Sequence, residues 1–252
     1  MPFTFSHPAF VLPLAKIKPK YFSYTGLFFG SIAPDCHMYL TFSTYPIIEN
    51  NIFGIFSLYM PLAVIMSVLY HLLVRNILIT HLPAPFDVRY SGILSFDFIG
   101  YLKKKYGVFL FSIFIAIGVH LALDNLTHEY TTFTKMYPET ITSNISIISA
   151  FSIKVYFFLQ VIFSLFGLGY MVLYLLSFNK PVPVYKPVNK ADKLLYYYLL
   201  FTIFILVFIG RFFLPLRYDQ FNDIVIISIM SSAMLTVLLA SAVIFVKNRI
   251  TT

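Results

Sequence analysis

Residues 107–128 read G-V-F-L-F-S-I-F-I-A-I-G-V-H-L-A-L-D-N-L-T-H, a long apolar run that ends in a cluster of ionisable side chains. Such a run is long enough to cross the hydrocarbon core of a bilayer, which requires about 20 predominantly apolar residues. Lys103, Lys104 and Lys105 precede it, so the apolar segment begins at a charged border. The stretch therefore predicts a membrane-spanning α-helix that carries polar chemistry at its far end.

Four further apolar runs of spanning length lie at roughly 53–74, 153–178, 194–214 and 224–246. Together the runs predict an all-α, polytopic membrane bundle of about five spanning helices. The apolar stretch Tyr21–Ala33 is too short to span, and it predicts a short re-entrant or interfacial N-terminal helix that Pro34 ends. The first 15 residues have neither a basic region nor a convincing cleavage site, so we expect them to stay in the mature protein.

The composition excludes several classes of protein. Of the 252 residues, 59% are hydrophobic and 11% are charged, against about 25% charged residues in ordinary soluble domains. This balance excludes a soluble globular enzyme, a disordered tail and a coiled coil, and membrane lipids are the expected partners. The net charge of +8 comes from cations clustered between the apolar runs rather than from a basic groove with interleaved aromatics, so no nucleic-acid binding is expected. A single cysteine, Cys36, excludes an intramolecular disulfide.

Loop charges predict the orientation of the helices. The connections after the first and third runs and the C-terminal tail are rich in Lys and Arg, which places them in the cytoplasm. The connection His128–Ser152 holds Glu129, Glu139 and only one lysine, Lys135, so we expect it outside. The same alternation puts the N-terminal region outside, although Lys16, Lys18 and Lys20 argue against that placement.

The candidate chemistry is concentrated in the N-terminal half of the chain. We therefore divide one continuous membrane domain into an N-terminal part, residues 1–135, and C-terminal membrane helices, residues 136–252. The prolines of residues 179–189 predict an extended linker before the last helix pair.

His120, Asp124 and His128 stand at positions i, i+4 and i+8. On an α-helix successive members of this series rotate by only about 40°, so all three line one face. Ionisable groups at the end of a spanning helix are costly and indicate a functional site. Imidazole nitrogens with a carboxylate suit Zn²⁺ or a similar first-row metal. The alternative is a polar helix end that only hydrogen-bonds to its neighbours.

Two further ligand-type residues come from the N-terminal segment. His7 precedes Pro8, which favours a helix start, and Asp35 follows Pro34. The predicted topology puts both residues on the same side of the membrane as His120, Asp124 and His128. We therefore predict a divalent metal, zinc in the first instance, held by His7, Asp35, His120 and Asp124, with Asp124 or His128 handling the proton.

The remaining histidines are weaker candidates. His37 is either a further ligand or a surface residue, and the surface is favoured. His71 joins the site only if Pro61 breaks the first spanning helix into a re-entrant turn. His81 lies in the motif T-H-L-P-A-P, whose prolines predict a loop.

Arg211 lies within F-I-G-R-F-F-L near the predicted outer end of the fourth spanning helix. One interpretation is that Arg211 faces the same pocket as His120 and binds a substrate phosphate or an acidic side chain such as Asp124. The other, which we favour, is that the side chain extends its charge into the lipid headgroups.

Five motifs resemble the DUF4184 family of bacterial integral-membrane proteins of unknown function. They are M-P-F-T-F-S-H-P-A (1–9), G-S-I-A-P-D (30–35), P-L-A-V-I-M-S-V-L-Y-H-L-L-V-R (61–75), H-L-P-A-P (81–85) and H-L-A-L-D-N-L-T-H (120–128). The resemblance covers roughly residues 1–135, and the later helices resemble the family only in hydrophobicity. It implies a multi-pass protein of the inner (cytoplasmic) membrane, and the loop charges predict that the site lies on the outer face.

The family is similar, more distantly, to the YdjM-like membrane-bound metal-dependent hydrolases, and through them to the zinc-dependent phospholipase C fold. In that fold H-x-x-x-D on a helix binds zinc, which His120 and Asp124 match. The same resemblance implies that His7 and Asp35 occupy the N-terminal ligand positions.

The chain departs from the family pattern before the first long helix, where Asn51 stands in place of a histidine. It also has Cys36 and His37 where members tend to carry an acidic residue. Because an amide is a poor Zn²⁺ ligand, three alternatives follow. The site binds one metal rather than two, or His37 substitutes, or catalysis has decayed.

Two functions fit these residues. The first is a membrane-embedded metal-dependent hydrolase of a lipid or lipid-linked phosphoester, since no G-x-S-x-G motif for a serine mechanism is present. The second is a non-catalytic membrane protein, an ion or proton transporter or an assembly factor, because intramembrane His and Asp are also typical of ion pathways. A third interpretation is a structural protein whose polar side chains only make contacts between helices. The number of ionisable groups on one helix face disfavours it.

Overall fold

The computed structural model describes residues 3–43, 52–129, 131–148, 151–178, 181, 187–213 and 221–251. Within these residues, five helices are long and apolar enough to cross a membrane. The predicted all-α membrane bundle is confirmed, and the chain is a multi-pass membrane protein.

The described helices are mostly long, and five of them correspond to the apolar runs. In chain order they are α1 (Pro8–Ile17), α2 (Tyr24–Thr41), α3 (Ile52–Thr80), α4 (Phe86–Tyr90), α5 (Phe98–Thr127), α6 (Thr132–Met136), α7 (Pro138–Ile141), α8 (Val155–Ser177), α9 (Lys190–Arg211) and α10 (Phe221–Thr251). The spanning helices are α3, α5, α8, α9 and α10. Between α7 and α8 the strands β1 (Asn144–Ile148) and β2 (Phe151–Lys154) form an antiparallel hairpin in which Asn144 faces Lys154.

Helix α2 passes through Pro34 and continues to Thr41, so the prediction that Pro34 ends this helix is wrong. Proline lacks an N–H donor, but the rest of the backbone of an apolar helix still has to be paired within the helix itself. The helix ends where Phe42 adopts a left-handed backbone with φ of 50°. There the Ser43 N–H donates to the Met38 carbonyl at 3.1 Å, a bond that closes the helix end.

Pro61 does not interrupt α3. The hydrogen bonding of α3 has the wider π pattern over Ile55–Tyr59 and over Tyr70–Val74. The segment Met60–Leu69, which contains Pro61, is α-helical. The re-entrant turn considered for Pro61 is therefore absent from the described helix, which runs from Ile52 to Thr80.

The chain forms two compact units by its internal contacts. Unit 1 comprises Met1–Asp35, Asn50–Val64 and Lys105–Ser177, and unit 2 comprises Cys36–Glu49, Ile65–Lys104 and Phe178–Thr252. The sequence-based division into residues 1–135 and 136–252 was drawn from the positions of the candidate ligands along the chain. It stays a prediction.

Helices α2 and α5 pack closely within unit 1 because glycines let their backbones meet. A Cβ atom at Gly26 would lie 2.7 Å from the Phe109 carbonyl oxygen, and one at Gly30 would lie 2.7 Å from the Ile113 carbonyl oxygen. Small residues four apart are a frequent way for membrane helices to approach each other. Val11, Leu12, Ala15, Leu27 and Ala116 form the buried apolar cluster that joins α1, α2 and α5.

A second close approach fixes the N-terminal segment. A Cβ atom at Gly167 of α8 would lie 2.5 Å from the Ser6 Cβ atom, so α8 packs directly on the 3₁₀ turn Thr4–Ser6. The Ser164 hydroxyl of the same helix accepts a hydrogen bond from the Phe3 N–H at 3.0 Å. Together these contacts determine where His7, the next residue after the turn, is placed.

Replacing Gly30 by valine should destabilise the protein, because the new side chain overlaps the α5 backbone. We expect a loss of about 1–3 kcal/mol, the usual range for an overpacked core. Gly118→Val is the matched control, since no heavy atom of the described chain lies within 4 Å of a Cβ atom at Gly118. Thermal unfolding of both variants in detergent measures the difference, and equal melting temperatures would contradict the contact between α2 and α5.

Candidate metal centre

His120 is completely buried on α5 and is oriented by α2. Its Nδ1 lies 2.6 Å from the Ser31 carbonyl oxygen. Because a carbonyl oxygen only accepts hydrogen bonds, Nδ1 carries a proton, and in the neutral form of the ring Nε2 presents a lone pair. A backbone carbonyl that orients the opposite ring nitrogen in this way is typical of histidines that bind a metal.

His7 repeats the arrangement at the start of α1. Pro8 occupies the first position of that helix, as predicted, and His7 immediately precedes it. The His7 ring is buried, with Nδ1 at 3.3 Å from the Thr4 carbonyl oxygen, so Nε2 is again left for a ligand. The rings of His7 and His120 stack with their centroids 4.0 Å apart.

Both Nε2 atoms are directed at the carboxylate of Asp124. The distance from His120 Nε2 to Asp124 Oδ2 is 3.2 Å, and that from His7 Nε2 to Asp124 Oδ1 is 3.6 Å. One donor atom from each of these three residues lies within 4.8 Å of the other two. Among the described residues, neither Nε2 atom nor Asp124 Oδ1 has a hydrogen-bond partner, although all three atoms are buried.

These distances are compatible with donor atoms that share a cation. A charge-assisted N–H···O bond has a length of about 2.7–2.9 Å, shorter than either contact. Ligand bonds of about 2.1 Å in a tetrahedral zinc site place neighbouring donor atoms ~3.4 Å apart. Two neutral imidazoles and one carboxylate are also a ligand set that zinc enzymes use. The residues present therefore fit a divalent metal.

Asp35 lies beside this group. Its Oδ1 is 3.6 Å from His120 Nε2, and its Oδ2 accepts a hydrogen bond of 2.6 Å from the Thr4 hydroxyl. The carboxylate is buried. The three mutually close donors do not include it, so the structure brings Asp35 to the cluster through its contact with His120. Sequence reasoning missed Thr4, whose only signal was its place in the motif T-F-S-H.

His128 lies on the more accessible side of Asp124. Its Nδ1 is 2.9 Å from the Asp124 carbonyl oxygen and 3.7 Å from Asp124 Oδ1, and its side chain is 29% exposed. Burial lowers the pKa of the His128 imidazole, and the Asp124 carboxylate acts in the opposite direction. Asp124 itself has 14% of its side chain exposed, so the cluster is reached from this side.

The remaining sequence candidates belong to unit 2 or to undescribed residues. His37 is buried, which contradicts the favoured surface placement. His71 is buried too, and its ring stacks on Phe98 at 4.1 Å, with Nδ1 at 3.2 Å from Arg75 Nη1. His81 lies in the turn that follows α3, as the sequence predicts, and it is buried there. Asn51 lies outside the described residues.

Arg211 is also buried in unit 2, with 5% of its surface exposed. Its Nη2 donates to the Phe42 carbonyl oxygen at 3.1 Å, and the guanidinium lies 5.9 Å from the centre of the Phe42 ring. The favoured interpretation, that the side chain extends its charge into the lipid headgroups, is therefore wrong. Substrate binding by Arg211 stays a prediction.

Comparison with known families identifies the chain. The sequence model of DUF4184, a domain of unknown function, matches residues 1–247. The chain belongs to the DUF4184 family. The match extends beyond residues 1–135 to α8, α9 and α10, so the resemblance to DUF4184 is wider than the motifs indicated. No curated protein and no solved structure matches the chain, and the likeness to YdjM-like hydrolases stays a prediction.

Asp124→Ala should abolish metal binding, because Asp124 is the carboxylate that both Nε2 atoms face. His81→Ala should leave the metal content unchanged, since His81 belongs to unit 2 and not to the His7, His120 and Asp124 group. Metal content per chain, measured by mass spectrometry of the purified proteins, tests this. Equal metal in both variants, or none in the wild type, would contradict the site.

Thr4→Val should weaken metal binding by about 10- to 100-fold, the usual effect of removing a group that orients a metal site. The substitution keeps the volume of the side chain and removes the hydroxyl that holds Asp35. Ser6→Ala is the matched control, because the buried Ser6 hydroxyl of the same turn has no hydrogen-bond partner among the described residues. Competition with a zinc chelator measures both affinities, and a similar loss in both variants would argue against a role for Asp35.

Proposed function

We propose that this DUF4184 protein is a membrane-embedded metal-dependent hydrolase that cleaves a lipid or lipid-linked phosphoester. The observation that carries the proposal is the convergence of His7 Nε2, His120 Nε2 and the Asp124 carboxylate. Catalytic zinc sites typically have three protein ligands and keep a further position for water. A set of three fits that pattern.

The metal, when bound, supplies a water of lowered pKa and polarises a phosphoryl oxygen. The Ser31 and Thr4 carbonyls hold the imidazoles of His120 and His7 with Nε2 towards the site. This preorganisation means that the ligands need not reorient when substrate arrives.

Asp35 has the geometry of a proton acceptor. The sequence predicts it as a fourth ligand, but a fourth protein ligand would close the position that a catalytic site leaves open. The Thr4 hydroxyl occupies Oδ2, which leaves Oδ1 beside His120 Nε2 to receive a proton from the attacking water. Thr4 therefore acts as a positioning residue for Asp35.

His128 is placed to exchange protons with the exterior. It is the most exposed of the clustered ionisable residues and lies against Asp124. We assign to His128 the protonation of the leaving group, with its Nδ1 oriented by the Asp124 carbonyl.

The depth of the cluster favours a lipid substrate. Asp124 and His128 lie at the C-terminal end of α5, where the span ends at Thr127. A phosphoester at the headgroup level of a bilayer meets this end of the helix without crossing the hydrocarbon core. The loop charges support an outer-face site in the inner membrane.

A transporter is the second candidate, and a different observation favours it. On the spanning helix α10 the hydroxyls of Ser231, Ser232 and Thr236 are buried and have no hydrogen-bond partner among the described residues. Unpaired polar groups inside a span are typical of pathways for ions or protons.

Asp35→Asn separates these functions. If Asp35 receives the proton, this variant still binds the metal, with an affinity weakened no more than in Thr4→Val, and once loaded with metal it loses about 10²- to 10⁴-fold in kcat, the usual contribution of a general base. Release of phosphate or headgroup from a panel of phospholipids by metal-loaded protein is the measurement. Lys104→Gln, at an exposed position of α5, is the active control.

The hydrolase proposal fails if metal-loaded wild-type protein cleaves no phosphoester in the panel. Proteoliposomes that then take up protons or metal would support the transporter instead. Loss of metal in Asp35→Asn would return Asp35 to the ligand role that the sequence predicts.

A further inference from the structure

Unit 2 contains a cavity of about 500 Å³ that the hydrolase proposal does not use. Its volume is within the range of small-ligand sites, roughly 300–1,000 Å³. The walls come from the C-terminal end of α3, the residues before α9, the first turn of α9 and the C-terminal end of α10. Apolar side chains, among them Ile77 and Ile244, line it together with amides and charged groups.

The cavity lies where three spanning helices end. Helix α3 ends at Thr80, α9 begins at Lys190, and the span of α10 ends at Ile250. A cavity at the ends of spans is at the depth of the lipid headgroups. Apolar walls beside polar ones are therefore suited to a molecule with both a headgroup and acyl chains.

His81 supplies a hydrogen-bond acceptor to this cavity. Its side chain is 4% exposed, and Nδ1 lies 2.8 Å from the Ile77 carbonyl oxygen, so Nδ1 carries the proton. Burial lowers the pKa of His81, which keeps the ring neutral near pH 7. Both hydrogen-bond contacts of the His81 ring with the described residues are made by Nδ1, so Nε2 is then an acceptor that a ligand can use. A ligand that satisfies it has to bring an N–H or O–H group.

Lys247 and Asn76 supply donors. Lys247 brings an ammonium to the lining of the cavity, with Nζ 2.8 Å from Asp192 Oδ1. Asp192 Oδ2 already accepts from the Asn189 side chain at 2.8 Å. Asn76 also lines the cavity; its Oδ1 accepts from Arg75 Nε at 3.1 Å, and its amide nitrogen is a donor. A cationic and an amide donor together suit a phosphate oxygen.

We propose that this cavity binds the phosphate of a membrane phospholipid whose headgroup also carries a hydrogen-bond donor. The phosphate accepts from Lys247 and Asn76, and the headgroup ammonium or hydroxyl donates to His81 Nε2. Phosphatidylethanolamine and phosphatidylglycerol have both features. Phosphatidylcholine has the phosphate but no donor, because its nitrogen carries three methyl groups.

Native mass spectrometry of the full-length protein tests the proposal. The purified protein is exposed in detergent to equal amounts of the three lipids, and retained lipid is counted. The wild type should retain phosphatidylethanolamine and phosphatidylglycerol about 3- to 10-fold better than phosphatidylcholine, the effect of one net hydrogen bond.

His81→Asn is the selective variant. The asparagine amide nitrogen takes the position of Nδ1 and can still donate to the Ile77 carbonyl, while the acceptor at Nε2 is lost. The preference over phosphatidylcholine should then fall to about 1-fold, with an unchanged melting temperature. A preference that survives in His81→Asn overturns the role of His81.

Lys247→Gln should weaken retention of all three lipids by about 2- to 5-fold, as expected for a part-exposed charge contact. Lys104→Gln removes the same charge from an exposed position of α5 and serves as the control. Equal losses in the two lysine variants overturn the phosphate contact. So does a wild type that retains the three lipids equally.

A soluble headgroup distinguishes the source of the phosphate. Glycerophosphoethanolamine has the same phosphate and ammonium but no acyl chains. If it fails to displace phosphatidylethanolamine at equal concentration, the acyl chains contribute and the ligand is a lipid. Displacement at equal concentration overturns the lipid assignment in favour of a soluble phosphoester bound by the same groups.

Discussion

The candidate site depends on the close contact between α2 and α5. Gly26 and Gly30 allow the α2 backbone to lie against the Phe109 and Ile113 carbonyls of α5. Only at this separation does the Ser31 carbonyl reach His120 Nδ1 at 2.6 Å. A side chain at either glycine would push the helices apart, and the imidazole would lose the bond that sets its tautomer. The chemistry of the site thus rests on two residues that have no functional group.

The second constraint is the burial of ionisable groups at the end of a span. His7, His120 and Asp35 are each almost completely inaccessible. Uncompensated buried charge is costly, so a cluster of this kind persists only where its members satisfy one another or share a cation. The Thr4 hydroxyl and the Thr4 and Ser31 carbonyls pair with the atoms that face away from the centre of the cluster. The Nε2 atoms of both histidines and Asp124 Oδ1 face the centre, and they have no hydrogen-bond partner among the described residues. This division between satisfied outer atoms and unsatisfied inner atoms distinguishes the cluster from a polar helix end, where hydrogen bonds to neighbours would occupy both.

Much of this architecture was predictable because it depends on local properties of the sequence, namely the length of apolar runs, the position of a proline and helical periodicity. The five spans follow from apolar length, and the helix starting at Pro8 follows from a residue whose backbone angle is already helical. The face shared by His120, Asp124 and His128 follows from helical periodicity. The contacts made by backbone carbonyls were not predictable, since every residue has a carbonyl and nothing in the sequence marks Ser31. The passage of α2 through Pro34 and the burial of Arg211 were missed for a related reason, because both depend on neighbouring helices rather than on local sequence.

The geometry bears on whether the site holds one metal or two. The family resemblance leads us to expect a histidine where this chain has Asn51, and that position lies outside the described residues. The three mutually close donors, His7, His120 and Asp124, are enough for one ion with a position left for water. His128 has turned its Nδ1 to the Asp124 carbonyl and so does not direct that atom to a second ion. Of the alternatives that the sequence left open, a single metal is the one that our proposal uses, with Asp35, held by Thr4, as the proposed proton acceptor.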